Sequence, residues 1–251
     1  MRKREFDQWK AWIPQYIPNR LFLAVYNMLA WLPVSKGIVF SNAKWNEKML
    51  NEHLFSTVKV CDGFIEEQER WKEIRFGKTG NIRDSGCGVL AVYNALHALK
   101  ALPGGQEIST LDKELLLHLI SSFEIRGAAW QGYFGIPPRY LASFLKKSGY
   151  RVQMYAGRKA RNLDEFGQEG DVFIATVFND IADITRQLHT VCITKKGGRF
   201  IVHNGAPARR SESSGGGQVG FPNLSEAVTQ ISQYGAVPIL LIKVRQKQQS
   251  N

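Results

Sequence analysis

The chain has 251 residues, of which 44% are hydrophobic and 22% charged, and it carries a formal net charge of +11. It is long enough to bury a full core as one domain, or as one domain with an appended segment. Three cysteines, Cys61, Cys87 and Cys192, are odd in number and widely spaced, which excludes a disulfide framework or a zinc knuckle and suits a reducing, cytoplasmic compartment. The basic balance favours an acidic surface as partner, but the charges are scattered in short clusters at Arg2-Lys3-Arg4, Arg209-Arg210 and Lys243 to Lys247. No nucleic-acid motif organises them, and no nucleic acid partner is expected.

In chain order, a basic start precedes the apolar run LFLAVYNMLAWLPV at residues 21–34. Fourteen residues fall short of the roughly 20 a bilayer span requires. The run lies too far in and lacks a small-residue cleavage site, so it does not read as a signal peptide. A helix packed on the main domain is the first reading. A peripheral contact of residues 1–40 with an anionic membrane, helped by Trp9, Trp12 and Trp31, is the alternative. These residues hold no candidate nucleophile or base and are expected to affect location or access, outside the catalytic machinery. A polar helix is predicted over about 42–55, followed by the acidic-basic segment IEEQERWKEIRFGKTGN; residues 1–75 form a helical extension and 76–251 the main domain. Gly77-Lys78-Thr79 invites a phosphate-loop reading, which fails because the glycine required five residues earlier is Lys72.

Residues 88–100 are apolar on nearly every face, so this helix should run through the interior. A second helix over about 110–123 has Ser109 as cap and Asp112 in its first turn, and a third opens at Pro137-Pro138 and stops at Gly149. Beyond Tyr150 the period changes to two, with strands predicted at RVQMYA, DVFIATVF, HTVCITK, RFIVH and AVPILLIKVR. One helix, 224–234, is inserted before the last strand behind Asn223 and Glu226, and SESSGGGQVG reads as a surface loop. Helices first and an antiparallel sheet second make the fold class α+β.

The segment DSGCGVL places Cys87 at the first turn of the buried helix. The free amides and positive dipole end of a helix N-terminus favour thiolate over thiol, and Gly86 and Gly88 would let the backbone approach a substrate closely. Of five histidines, His97 sits ten residues along the same helix, roughly 15 Å away at ~1.5 Å per residue. His118 lies in LLLHLI, where a partly buried structural role is expected, and His53 has no supporting pattern. A hairpin decides between the remaining two. With a two-residue turn at Gly197-Gly198, Cys192 faces His203, while His189, Val191, Ile193, Val202 and Asn204 share the other face. Asn204 is then close enough for its amide oxygen to orient the His189 imidazole, completing a Cys-His-Asn set. Cys192 reads as a small buried hydrophobe, because Cys192 and His203 alone do not make a metal site.

The runs GCGVLAVYNAL, GYFGIPPRYLASFLKKSGY and HTVCITKKGGRFIVHNG resemble the papain-like cysteine peptidase superfamily, above all the bacterial double-glycine peptidases that process bacteriocin leaders. The resemblance covers about residues 75–245. It implies a papain-like fold, a peptide or protein substrate and no cofactor, with Cys87 as nucleophile, His189 as general base and then acid, and Asn204 as orienter. The family's oxyanion glutamine, six residues before the cysteine, is Asn81 here, which keeps an amide donor on a shorter arm. The same triad would serve an acyl transferase, and the substitution at Asn81 leaves a catalytically silent peptide-binding module as the further alternative.

Overall fold

The structure is a computed structural model, and it describes residues 19–52, 60–100, 112–156, 167–178, 188–205, 220–231 and 237–247. His53, the Ser109 cap, the tryptophans Trp9 and Trp12 and the glycine-rich loop 211–219 lie outside these residues.

Two helices, α1 (Asn19–Leu29) and α2 (Lys36–Glu52), open the described chain. Two short hairpins follow: β1 (Val60–Cys61) with β2 (Phe64–Ile65), and β3 (Arg75–Phe76) with β4 (Gly80–Asn81). The one-turn helix α3 (Ile82–Ser85) leads directly into α4 (Cys87–Lys100), and α5 (Lys113–Ile125) and α6 (Pro138–Lys147) complete the helical part. Asp112 is the cap of α5, its Oδ1 accepting from the Leu115 amide at 2.9 Å, so that helix starts later than the Ser109 reading placed it. The third helix begins at Pro138 and is followed by Gly149 at φ 92°, in agreement with the proline and glycine signals.

The second half is one six-stranded antiparallel sheet in the order β5-β10-β6-β7-β8-β9, formed by β5 (Arg151–Ala156), β6 (Val172–Phe178), β7 (Leu188–Lys196), β8 (Arg199–His203), β9 (Gly220–Phe221) and β10 (Val237–Arg245). Helix α7 (Leu224–Thr229), shorter than its apolar pattern suggested, precedes β10 and is capped by Asn223. The chain is α+β. The middle of the sheet is covered on both faces, which is why every residue of the central strand β6 is buried and the period-two alternation is lost there, whereas the edge strand β5 has no buried residue. Val172, Ile174, Cys192 and Ile242 pack into the helical core with Val89, Leu90, Leu116 and Leu141. Phe173, Ala175, Val191, Ile193 and Leu241 pack instead against Leu224, Ala227 and Val228 of α7.

The packing does not follow a division at residue 75. Val34, Val39, Met49 and Leu50 belong to the same core as the α4 residues. Buried Asn42 donates through Nδ2 to the Gly77 carbonyl at 2.8 Å and to Glu124 at 2.6 Å. Helix α2 is therefore part of the main body, joined to α5 and to the strand pair that leads into the cysteine. Among the described residues no helix is long and apolar enough to cross a membrane.

Candidate active site

Cys87 is the first residue of α4, and the way the chain arrives there fixes it. Asn81 caps α3 by accepting from the Asp84 amide at 2.9 Å. The Gly86 amide then closes that turn on the Ile82 carbonyl, and the Gly86 carbonyl in turn accepts from Leu90 as the first bond of α4. A Cβ on Gly86 would lie 2.7 Å from Ile82 atoms, and one on Gly88 would lie 3.3 Å from Ile136. Both glycines are buried and serve the joining and packing of the two helices, which corrects the reading of them as room for a substrate.

Helix α4 packs along β7, and this brings partly exposed Cys87 to His189 and Thr190 at the start of that strand. The side chains of Cys87 and His189 are hydrogen-bonded to each other, and Thr190 adds both a backbone and a side-chain bond to the sulfur. Burial by itself would push the Cys87 thiol up. The hydrogen bond and charge of His189, with the help of Thr190, outweigh it and hold the thiol below its ordinary value. For His189 burial acts downward, yet the bond and negative charge of Cys87 and the Asn204 carbonyl raise it. The two shifts have opposite sign and a shared cause, the mutual hydrogen bond and charge of Cys87 and His189. Cys192 contrasts with this: fully buried and facing the charge of Glu66, its thiol is pushed well above the ordinary value.

The hairpin register is as the sequence predicts, with Lys196 opposite Arg199, Cys192 opposite His203, and Gly197 and Gly198 both in the left-handed region at the turn. The role of Asn204 is different from the expected one. This residue leaves the strand at φ 62°, and its backbone carbonyl, not its side-chain amide, meets His189 Nε2 at 2.9 Å. A carbonyl only accepts, so Nε2 carries the proton and Nδ1 is left facing the thiol. The Asn204 side chain is turned to Gln68 instead: Oδ1 accepts from the Gln68 amide and Nδ2 donates to Gln68 Oε1, each at 3.0 Å.

Gln68 and Glu66 are the residues that sequence reasoning missed. Gln68 Nε2 donates to the carbonyls of Ile82 and Arg83 at 2.9 and 2.8 Å, so one side chain ties the end of β8 to the helix that delivers the nucleophile. Glu66 accepts from the Asn204 amide at 2.9 Å through one oxygen and pairs with His203 Nδ1 at 2.7 Å through the other. His203, stacked on Phe64 at 3.9 Å and bonded through Nε2 to Thr194, pairs with Cys192 and so lies on the face of the hairpin opposite His189, as expected. It nevertheless braces the site through Glu66. His97 is buried and bonded to the Asp62 carbonyl, while His118 is exposed on α5, which corrects its expected partial burial.

Two further expectations are changed by the geometry. Asn81 donates its Nδ2 to Asp84 Oδ2 at 2.9 Å, so its amide is engaged in the helix cap at both ends. The first 40 residues do reach the site. Tyr26 of α1 is buried, and its hydroxyl donates to the Phe134 carbonyl at 2.6 Å. It lies 3.6 Å from the Cβ position of Gly135, which itself is 3.1 Å from the Ser85 carbonyl, two residues before the cysteine. Burial, and after it the charge of Cys87, pushes the Tyr26 phenol well above its ordinary value, keeping the proton on the oxygen. Among the described residues no three His, Cys, Asp or Glu side chains are gathered as a metal-binding set.

Comparison of the chain with family models, with curated proteins and with solved structures finds no match. The chemistry must therefore be argued from the geometry alone.

Proposed function

We propose that this protein is a papain-like cysteine peptidase or thiol amidase, cleaving a peptide or amide bond through Cys87, His189 and Asn204. The observation that carries the reading is the mutual Cys87–His189 hydrogen bond at a helix start, with the second imidazole nitrogen held by a fixed carbonyl. A merely structural cysteine is buried and inert, as Cys192 is.

In this reaction the Cys87 thiolate attacks the scissile carbonyl carbon, forming a C–S bond while the π electrons move to the oxygen. The first-turn amides of α4, starting with that of Cys87, point at this oxyanion, and the helix dipole favours it. Asn81 is engaged with Asp84 and the Tyr26 hydroxyl with the Phe134 carbonyl, so the oxyanion is assigned to the backbone amides without a side-chain donor. Collapse of the tetrahedral adduct breaks the C–N bond, and the imidazolium gives its proton to the leaving amine. Neutral His189 then takes a proton from water, the hydroxide attacks the thioester, and the C–S bond breaks; the carboxylic acid leaves and gives its proton to solvent as the thiolate–imidazolium pair reforms. Asn204 acts by position: its carbonyl holds the tautomer and ring plane through the cycle.

Digestion of a peptide library by the intact chain and by Cys87→Ala tests the reading. Cleavage products present with the first and absent with the second support it. Identical product sets, or none from either under conditions where Cys87 is alkylated rapidly, reject hydrolysis.

A further inference from the structure

The chain carries a large apolar surface that its own core does not use. On α1 and the residues after it, Tyr26 and Ala30 face inward, whereas Leu21, Val25, Met28 and Leu32, spaced four, three and four residues apart, form one outward stripe. Met28 is 59% and Trp31 76% exposed. Phe40 on α2 is exposed as well, with the Lys44 ammonium over its ring. Helix α1 rests on the turn at residues 129–132, and Tyr26 joins it to Phe134, so the exposed rings of Trp130, Tyr133 and Phe134 continue the same surface. Exposed apolar side chains gathered in this way, and not scattered singly, mark a binding surface.

The backbone of the turn supplies a second observation. Trp130 and Gln131 stand at φ 48° and 57°, left-handed conformations that bulky side chains avoid. They are held there from below. Gln131 accepts from the Lys78 amide at 2.9 Å, and Gly77 and Gly132 meet so closely that a Cβ on Gly77 would lie 2.2 Å from the Gln131 oxygen. A strained backbone is thus maintained while its tryptophan is presented to solvent, 53% exposed, where it adds nothing to the core.

Charge selects the occupant. Residues 19–46 and 125–140 contain Arg20, Lys36, Lys44, Arg126 and Arg139 and no Asp or Glu at all, within a chain that has 22 acidic residues. The side chains of Lys36, Lys44, Arg126 and Arg139 are exposed. A second copy of the chain would bring this cationic face against itself in a two-fold pairing, which like charges oppose. An amphipathic helix with aromatic rings beside it, on two segments that carry only positive charge, matches the interface of an anionic bilayer.

We infer that Leu21, Val25, Met28, Trp31, Trp130 and Tyr133 form a docking face for an anionic lipid surface, on which the protein lies with α1 in the interface plane. The face is not confined to residues 1–40, because the turn at 130–134 supplies two of its three aromatic rings, Trp130 and Tyr133. It is independent of the thiol chemistry, and the two stand or fall by separate readouts.

The test is sedimentation of the full chain with vesicles of phosphatidylcholine alone and of phosphatidylcholine with phosphatidylserine. The double variant Trp31→Ser/Trp130→Ser, which leaves the basic residues and the site untouched, is run beside the parent. Binding to the serine-lipid vesicles, weakened by salt and absent on the neutral ones, is expected, with a blue shift of tryptophan emission. The variant should partition at least about tenfold less, the equivalent of ~1.4 kcal/mol, since two tryptophans lose their burial in the interface. Cys87→Ala should bind as the parent does. No binding to anionic vesicles, equal binding of the double variant, or capture of an acidic protein in place of lipid overturns the inference.

Discussion

Replacing Asn204 with glycine and, separately, with alanine distinguishes the backbone carbonyl from the side chain as the partner of His189. Either change removes the two side-chain bonds to Gln68, worth about 0.5–1.5 kcal/mol each, so both variants should lose about 1–3 kcal/mol of stability on that account. Glycine accepts φ 62° without strain and loses about 0.4–1 kcal/mol more through the freer unfolded chain. Alanine carries about 1–2 kcal/mol of strain at that φ, which it relieves by leaving the left-handed region and taking the carbonyl away from Nε2. The two should therefore be similar in urea midpoint and different in chemistry. At pH 6.5, under conditions where circular dichroism shows each to be folded, Asn204→Gly should be alkylated at Cys87 within about threefold of the parent rate. Asn204→Ala should fall by about tenfold, the equivalent of ~1.4 kcal/mol at the imidazole. Equal losses in both variants would falsify the carbonyl assignment and return the orienting role to the amide side chain.

Glu124 gives a pH signature in stability. Burial pushes its carboxyl up from an ordinary 4.5 to about 7, against the pull of the Asn42 and Gly77 bonds. The folded state therefore holds the proton more tightly than the unfolded one. Stability is full below pH 4.5, falls as pH rises to about 7, and is level above; at ~1.36 kcal/mol per pH unit the fall is about 3 kcal/mol at most. Glu124→Gln keeps the acceptor oxygen and should remove that slope in urea denaturation at pH 5 and 8; an unchanged slope would assign the pH dependence elsewhere. For Tyr26→Phe, which deletes the hydroxyl that donates to the Phe134 carbonyl, a loss of about 0.5–1.5 kcal/mol in urea denaturation is expected while Cys87 alkylation stays near the parent rate. A parallel loss of alkylation would make Tyr26 a support of the thiol as well. Glu66→Gln should slow alkylation and turnover together, through the displaced Asn204 amide, with the defect reproduced in part by His203→Ala; a His203→Ala variant as fast as the parent would confine the bracing to Glu66 itself.

What could be read in the sequence follows the range of the forces involved. The strands beyond Tyr150, the Pro137-Pro138 helix start and the Gly197-Gly198 turn are local, set by period and by backbone preference within a few residues, and they appear where they were predicted. Cys87 and His189 were legible because a helix start and a strand face are also local properties. Gln68 was not, since its partner Asn204 lies 136 residues away and nothing in the spacing of IEEQERWKEIR points to it. Asn204 was legible as a position and not as a mechanism: alternation along the strand assumed that it continued, and a residue at positive φ turns its side chain out of that pattern. The same applies to Tyr26, because an apolar run with a tyrosine in it reads alike whether the hydroxyl faces solvent or a carbonyl of a distant turn.

The central claim is that Cys87 and His189 share one proton as a thiolate–imidazolium pair. The pH profile of Cys87 alkylation by iodoacetamide, followed by mass spectrometry in the parent chain and in His189→Ala, tests it most directly. In the parent the rate should already be high at neutral pH, set by a thiol held below its ordinary value, and it should fall only as pH drops through that lowered value. In His189→Ala only the Thr190 bonds oppose burial, so the rise should move toward alkaline pH while Cys192 stays unreactive in both. Superimposable profiles for the two chains, or labelling of Cys192 as fast as Cys87, would contradict the account.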